Sequence, residues 1–381
     1  MSEPAVATPA VIDRHLVPRP YPARTAPLPH GRFTPDAAWL GSLLANKYPG
    51  VVAQSLEVVQ LFDSHTTKLR VAVDWNAAGR AAGLPRNLCI KSNWSGMFDD
   101  VDIHALARFY HFLTNKLTAN TATCYYADWD DDGSAHGVIV LEDLIDRGGK
   151  FGHSTQHAGV DGVANALADL AKLHAGLWES PLITPEAAPW LPTSMAVPVD
   201  YDQVRIMWHW IEENLKDPNF RAIAPRHYLD DARRVERAYD RLVTFERAFD
   251  APYCIILGDC HQGNTYIEPN GERMWVDWQL GRRGRPWRDL TYFTVGSLTI
   301  EERRQNHRDL IAHYRDCLIR EGATNVIDLD TIWNEQVPRW VMYGIQAWVA
   351  NMDYWGQNGL PMNERFFAAG EDLGSWKLLG E

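Results

Sequence analysis

Three oxygen-bearing side chains fall close together late in the chain, within LGDCHQGNTYIEPNGERMWVDWQ (Leu257 to Gln279). They are Asp259, Asn264 and, beyond an Asn-Gly pair, Asp277. CIIL, ending at Leu257, reads as a short apolar strand, and GDCHQGN as the loop after it. TYIEPNGERMWVDW reads as a β-hairpin turning at Asn270-Gly271. A hairpin there returns Asp277 to the start of its own first strand, and so to Asn264. Oxygen ligands converging on one mouth suit a hard cation such as Mg²⁺, shared with phosphate oxygens. Asn264 and Asp277 are the expected metal ligands, one neutral and one charged. Asp259 then faces an incoming hydroxyl and is the candidate catalytic residue.

These residues need a scaffold, and the preceding sequence supplies one. Residues 1–32 are rich in Pro, Ala and Arg and read as an extended arm. FTPDAAWLGSLLANKYPG follows as a helix, with Thr34 as N-cap, Pro35 in the first turn and Pro49-Gly50 as its stop. VVAQSLEVVQLF, TKLRVAVDW, NLCIKSNW, ATCYYADW and AHGVIVLEDL are strand candidates, rich in β-branched and aromatic residues. One helix, IHALARFYHFLTNKL, lies between the third and fourth, with Leu106, Phe109, Tyr110 and Leu113 on one face. After Asp146 helical periodicity dominates, in residues 161–178, 201–215, 227–249, 300–322 and 329–355. The expected fold class is α+β. A small antiparallel sheet with one helix forms the first lobe and a larger helical lobe follows. The expected division is 1–45 arm and helix, 46–145 first lobe, 146–381 second lobe.

With the lobe order in place, D-x-x-x-x-N followed by a second Asp has the spacing of phosphoryl-transfer centres in protein-kinase-like enzymes. The segment from Leu257 to Ser297 resembles the aminoglycoside/choline-kinase-like phosphotransferases, and most of all their ecdysteroid-kinase-like branch. Its Gly258-Asp259, Asn264, Asp277-Trp278-Gln279 and Asp289-Leu290 fall in the family's order. VIVLEDL and LAKLHA resemble its inter-lobe hinge and the helix after it. The resemblance spans roughly residues 45–320 and implies a bilobal, protein-kinase-like fold with ATP and Mg as cofactors. By the same resemblance Asp259 is catalytic and Asn264 and Asp277 hold metal. Lys91 anchors phosphate, and Glu142, Asp143 and Leu144 form the hinge that meets adenine through backbone groups. Asp289 braces the catalytic loop. Two departures stand out. The family's His before Gly-Asp is Leu257 here. The helix Glu that pairs with the strand lysine falls at Leu106, with Asp99, Asp100 or Asp102 as nearby substitutes.

Net charge is −12, from 37 basic and 49 acidic residues, which argues against nucleic acid and anionic membranes as partners. Five scattered cysteines with no C-x-x-C pair point to reduced thiols and a cytoplasmic setting. DWDDDG imitates the start of a Ca²⁺ loop, but its twelfth position is Ile139, so a hairpin turn is the better reading. His153 and His157 share metal-like spacing in a Gly-rich loop without a carboxylate partner. Cys260 beside Asp259 has no triad around it. Sixteen tryptophans are unusual. Aromatic stripes are usually core, yet in the resembled fold the late helices wall the acceptor site. Trp208, Trp210, Trp340, Tyr343 and Trp348 are therefore candidate substrate contacts. The expected activity is phosphorylation of a hydroxyl on a hydrophobic alcohol, aromatic or polycyclic. An amino-alcohol, aminoglycoside or sugar kinase stays open, as does a catalytically silent binding protein of the same fold.

Overall fold

A computed structural model describes residues 27–63, 66–94, 103–130, 136–195, 208–350 and 359–381. The first lobe holds strands β1 (Ala53–Asp63), β2 (Thr67–Trp75), β3 (Asn87–Ser92), β4 (Cys124–Trp129) and β5 (Gly137–Glu142). They form one antiparallel sheet in the order β1-β2-β3-β5-β4. Helix α1 (Ala37–Ala45) packs Leu40, Leu43 and Leu44 with Leu69, Val71, Ile90 and Val140 on one face. Helix α2 (Ile103–Phe112) brings Leu106 and Phe109 to Ala127, Trp129 and Ile139 on the other. Alternation along β3 sends Ile90 to the first face and Lys91 to the second, which looks toward the helical lobe. The five strands fall where β-branched composition places them. α1 starts later than expected. Its cap is Asp36, whose Oδ1 accepts from the Trp39 amide at 2.7 Å, and not Thr34.

In the second lobe α3 (Gly159–Gly176), α4 (Trp208–Asn214) and α5 (Arg234–Ala248) precede the strand-and-loop segment, and α6 (Trp287–Ser297), α7 (Ile300–Arg320), α8 (Val337–Ala350) and α9 (Leu360–Asp372) follow it. α6 is buried along its whole length. α8 is buried at nearly every position, so these two are the lobe's centre. Thr299 closes a capping box with Glu302 ahead of α7. The single helix expected over 227–249 is broken between Asp230 and Arg234, because the Asp231 carboxylate takes the Arg233 amide and competes with the helical ladder. The run over 329–355 contains a π-turn at Ile332–Gln336. Pro338 lacks an N–H and its ring would press on the carbonyl of residue 334, so the wider turn accommodates it.

Short strands carry the segment of interest. β7 (Cys254–Ile256) pairs with β10 (Arg282–Gly284). β8 (Thr265–Ile267) pairs with β9 (Arg273–Trp275), and β6 (Lys150–Phe151) adds to β8. The hairpin exists, but Pro269 and Asn270 hold its central places. Gly271 takes the left-handed fourth place, at φ 89°, with its amide on the Glu268 carbonyl. Among the described residues no helix is long and apolar enough to cross a membrane.

Candidate active site

Hairpin register sets the distances. Thr265 pairs with Trp275, and the Val276 amide donates to the Asn264 carbonyl at 3.0 Å. Asp277 therefore leaves the hairpin beside Asn264. On the other side Asn264 Nδ2 donates to the Asp259 carbonyl at 2.8 Å and to Asp259 Oδ2 at 3.2 Å. That uses the amide nitrogen within the loop and leaves the amide oxygen as the donor a hard cation takes. His261 Nδ1 accepts from the Gly263 amide at 3.0 Å, so its proton sits on Nε2, 3.5 Å from Asp259 Oδ2. Burial acts to raise the Asp259 carboxyl. His261 and, more weakly, Arg288 together reverse this and leave the group below its ordinary value. Asp259 still keeps 31% of its side chain accessible.

The loop is clamped from beneath. Gly258 has φ 82°, and a Cβ there would lie 2.2 Å from the Leu280 carbonyl oxygen, so only glycine fits. Asp289, at 0% exposure on α6, accepts the Leu257 amide at 2.6 Å and the Gly258 amide at 3.0 Å. Arg288 Nη2 donates to the Gly258 carbonyl at 2.8 Å and to Tyr343 Oη at 2.6 Å. The Tyr343 hydroxyl donates to the same carbonyl at 2.9 Å. Both sides of the Gly258 peptide are thus fixed just before Asp259.

Asp277 joins the lobes. Its backbone is left-handed, φ 62° and ψ 62°, a conformation a β-carbon disfavours and one that concentrates at functional sites. Lys91 Nζ lies 2.5 Å from Asp277 Oδ1 and 3.0 Å from Gln279 Oε1. Lys68 Nζ lies 2.8 Å from Asp277 Oδ2. Burial alone would raise the Asp277 carboxyl; the two lysines reverse this and hold it far below the carboxylate range. Burial pushes Lys91 down to about 8 despite its carboxylate partner. The donor set fits Mg²⁺: one carboxylate and one amide oxygen, with room in the coordination sphere for phosphate oxygens and water. Among the described residues no group of three or more His, Cys, Asp or Glu side chains could hold a metal ion.

Neither sequence departure leaves a gap in this arrangement. Leu257 contributes its backbone amide to Asp289, so the side chain there does not set the brace. Leu106 is 1% exposed on an apolar face of α2. One turn on, the Phe109 ring stacks on Trp278 at 4.5 Å, tying α2 to the residue after Asp277. Packing there joins helix and loop, while Gln279 serves Lys91. Asp99, Asp100 and Asp102 lie outside the described residues, as does part of the DWDDDG turn. At the hinge, Glu142 takes both Arg147 Nε and Nη2 at 2.8 Å, and Asp143 takes Arg70 Nε at 2.8 Å. Leu144 is buried with Ala122, Tyr266 and Met274, an apolar cluster beneath the hinge.

The aromatic residues correct an expectation. Trp340, Tyr343 and Trp348 are 0%, 4% and 2% exposed. They belong to the core because α8 is surrounded on all sides, so their spacing marks packing and not a cleft wall. Tyr343 braces the Gly258–Asp259 loop from below, and the Trp348 ring lies 6.1 Å from that of His261. Trp208 and Trp210 are half-buried on α4. The Arg233 guanidinium sits 3.5 Å from the Trp208 ring centre, and His209 packs on Trp210. His157 pairs with Glu302 at 2.5 Å, and Cys260 is buried under the loop with its thiol pushed up by that burial. A hollow of about 560 Å³ lies elsewhere, against Ile183, Pro252, Tyr253 and Asn325, and no residue of the trio lines it. Lys68, Gln279, Arg288 and Arg70 escape sequence reasoning, since each matters through a partner in a distant segment.

A two-lobed arrangement of this kind, with a lysine from the sheet lobe on an aspartate after the helical lobe's hairpin, is the protein-kinase-like fold. Within it, the chain is similar to the ecdysteroid kinase-like family, whose model matches residues 208–324. That stretch holds Asp259, Asn264, Asp277 and Asp289. No curated protein matches the chain. Among solved structures, a provisionally assigned aminoglycoside phosphotransferase of Ralstonia eutropha is 14% identical. The alignment covers 89% of this chain and 97% of that one, at a TM-score of 0.52. An amicoumacin kinase, solved in complex with AMP-PNP, Ca²⁺ and Ami, is 13% identical over 83% of this chain and 88% of its own, at 0.53. A Plasmodium vivax ethanolamine kinase is 10% identical over 84% and 81%, at 0.50. Identities this low carry the fold, and the superfamily resemblance drawn from the motif holds.

Proposed function

We propose that the chain is a Mg²⁺- and ATP-dependent kinase that phosphorylates a hydroxyl of a small molecule. The supporting observation is the meeting of Asp277, Asn264 and Asp259 on one rim with Lys91 from the opposite lobe. Phosphoryl transfer asks a protein mainly for positioning and for charge opposite the phosphates. Asn264 and Asp277 would hold Mg²⁺, which supplies neutralisation of phosphate charge. Lys91, held by Gln279, adds a fixed positive charge from the sheet. A carboxylate ordinarily titrates near 3.9, and Asp259 is held below that, so it is too weak a base to remove an alcohol proton outright. It orients the hydroxyl and accepts the proton late, with Asn264 and His261 fixing its carboxylate. Adenine would lie against the hinge backbone at Glu142 to Leu144, since the hinge acids turn toward Arg147 and Arg70 and Leu144 floors an apolar patch.

For the acceptor we favour a hydrophobic alcohol over a polycation. The support is the aromatic surroundings of the loop that carries Asp259: the Trp348 and Tyr292 rings lie 6.1 Å and 6.3 Å from that of His261. The test is ADP release from Mg²⁺-ATP with aromatic and polycyclic alcohols, choline, ethanolamine, sugars and aminoglycosides. Acceptor-dependent release, greatest with apolar alcohols and lost in Asp259→Ala, is expected. Best turnover on choline or sugars overturns the acceptor class alone. No acceptor-dependent release, alongside intact nucleotide binding, overturns the kinase reading in favour of a binding protein.

A further inference from the structure

We propose that Lys68 is a second triphosphate-binding lysine, acting beside Lys91, and that both exchange Asp277 for phosphate oxygens when the nucleotide binds. The inference rests on the phosphotransferase reading and adds a residue to it. In the β2–β3 register Lys68 stands directly opposite Lys91, so their side chains leave the same face of the sheet. Like charges directly opposite across strands destabilise a sheet, so this pairing needs an anion between them. In the described structure that anion is one carboxylate: Oδ1 takes Lys91 and Oδ2 takes Lys68.

Both ammonium groups share the one Asp277 carboxylate, each taking one of its oxygens. The nearest other cation on β2, Arg70, is committed to Asp143 and Gln60. Lys91 is almost enclosed, 6% accessible, whereas Lys68 keeps 35% and sits on the open side of the pair. The carboxylate oxygens a cation would take from Asp277 are those the lysines hold. Cation and lysines therefore compete for Asp277, and a polyphosphate offers the displaced ammonium groups several oxygens in place of two. Lys91 would meet the phosphate chain deep in the cleft and Lys68 nearer its mouth.

Calorimetric titration of the full chain with ATP and with adenosine, each with and without Mg²⁺, tests this. Wild type, Lys68→Met, Lys68→Arg and Lys91→Met are compared, with circular dichroism confirming the fold of each. Wild type should bind ATP more tightly than adenosine. Lys68→Met should lower that preference by about tenfold, as expected for one charge-assisted contact, and leave adenosine affinity unchanged. Lys68→Arg should keep most of the preference. An unchanged ATP-to-adenosine ratio in Lys68→Met, with the ratio lost in Lys91→Met, overturns the role of Lys68 and leaves the phosphotransferase reading standing. A wild type without preference for ATP overturns both.

Discussion

Asp259 and Asp289 are the same residue type in opposite circumstances. Asp259 faces the cleft with part of its carboxylate accessible, and Asp289 is wholly enclosed with two backbone amides on it. Their replacements should therefore fail differently. Asp259→Asn should lower the turnover rate by about 10²–10⁴-fold, the usual weight of a positioned proton acceptor, with a melting temperature close to wild type. Asp289→Ala leaves two buried N–H groups unpaired, at about 1–3 kcal/mol each, and should show as a clear loss in chemical denaturation. Near-normal turnover in the first variant, or an unchanged denaturation midpoint in the second, contradicts these assignments. The first-rank residues are legible because their spacing is local: Asp259, Asn264 and Asp277 sit on one loop and one hairpin. Lys68, Arg288 and Tyr343 are not legible, because their roles depend on cross-strand register and on how α8 approaches the loop.

Among the elements, α2 shows packing standing in for charge. The resembled family implies an acid on this helix, yet Leu106 stands there in an apolar cluster, and Phe109 stacks on Trp278. Phe109→Ala should cost about 3–5 kcal/mol of stability, as for a buried Phe, while Phe109→Leu should cost less and retain nucleotide binding. Equal stability of Phe109→Ala and wild type would remove α2 from the site's support. Five strands and the main helices follow from periodicity and β-branched composition. What periodicity leaves ambiguous is burial. The Trp340, Tyr343 and Trp348 stripe marks a face, but a helix enclosed on every side has no wall to offer. The break at Asp231 and the π-turn before Pro338 likewise depend on local side-chain competition finer than an apolar repeat.

On the scale of the whole molecule, the lobes meet through Asp277 and two lysines of the sheet, so ligand binding and folding stability are linked. A ligand at about 100 times its dissociation constant adds about 2.7 kcal/mol, and Mg²⁺-ATP should raise the melting temperature where adenosine raises it less. Far from the cleft, His307 on α7 is 2% exposed beside Trp333, with neither ring nitrogen hydrogen-bonded. Burial, reinforced by Arg303, pushes it down to about 3 from 6.5. The unfolded chain then binds a proton that the folded chain refuses. Its contribution to stability is present above pH 6.5 and is lost as pH falls toward 3, by up to about 1.4 kcal/mol per pH unit. His307→Gln should flatten this acid limb between pH 6 and 4 in denaturation titrations; an unchanged slope contradicts the assignment.

The central claim is that Asp277 holds the cation that carries the nucleotide's phosphates. Calorimetry of ATP binding with and without Mg²⁺, in wild type and Asp277→Asn, tests it most directly. A gain in affinity with Mg²⁺ in wild type that disappears in the variant is predicted. The same gain in both proteins, or none in wild type, contradicts it.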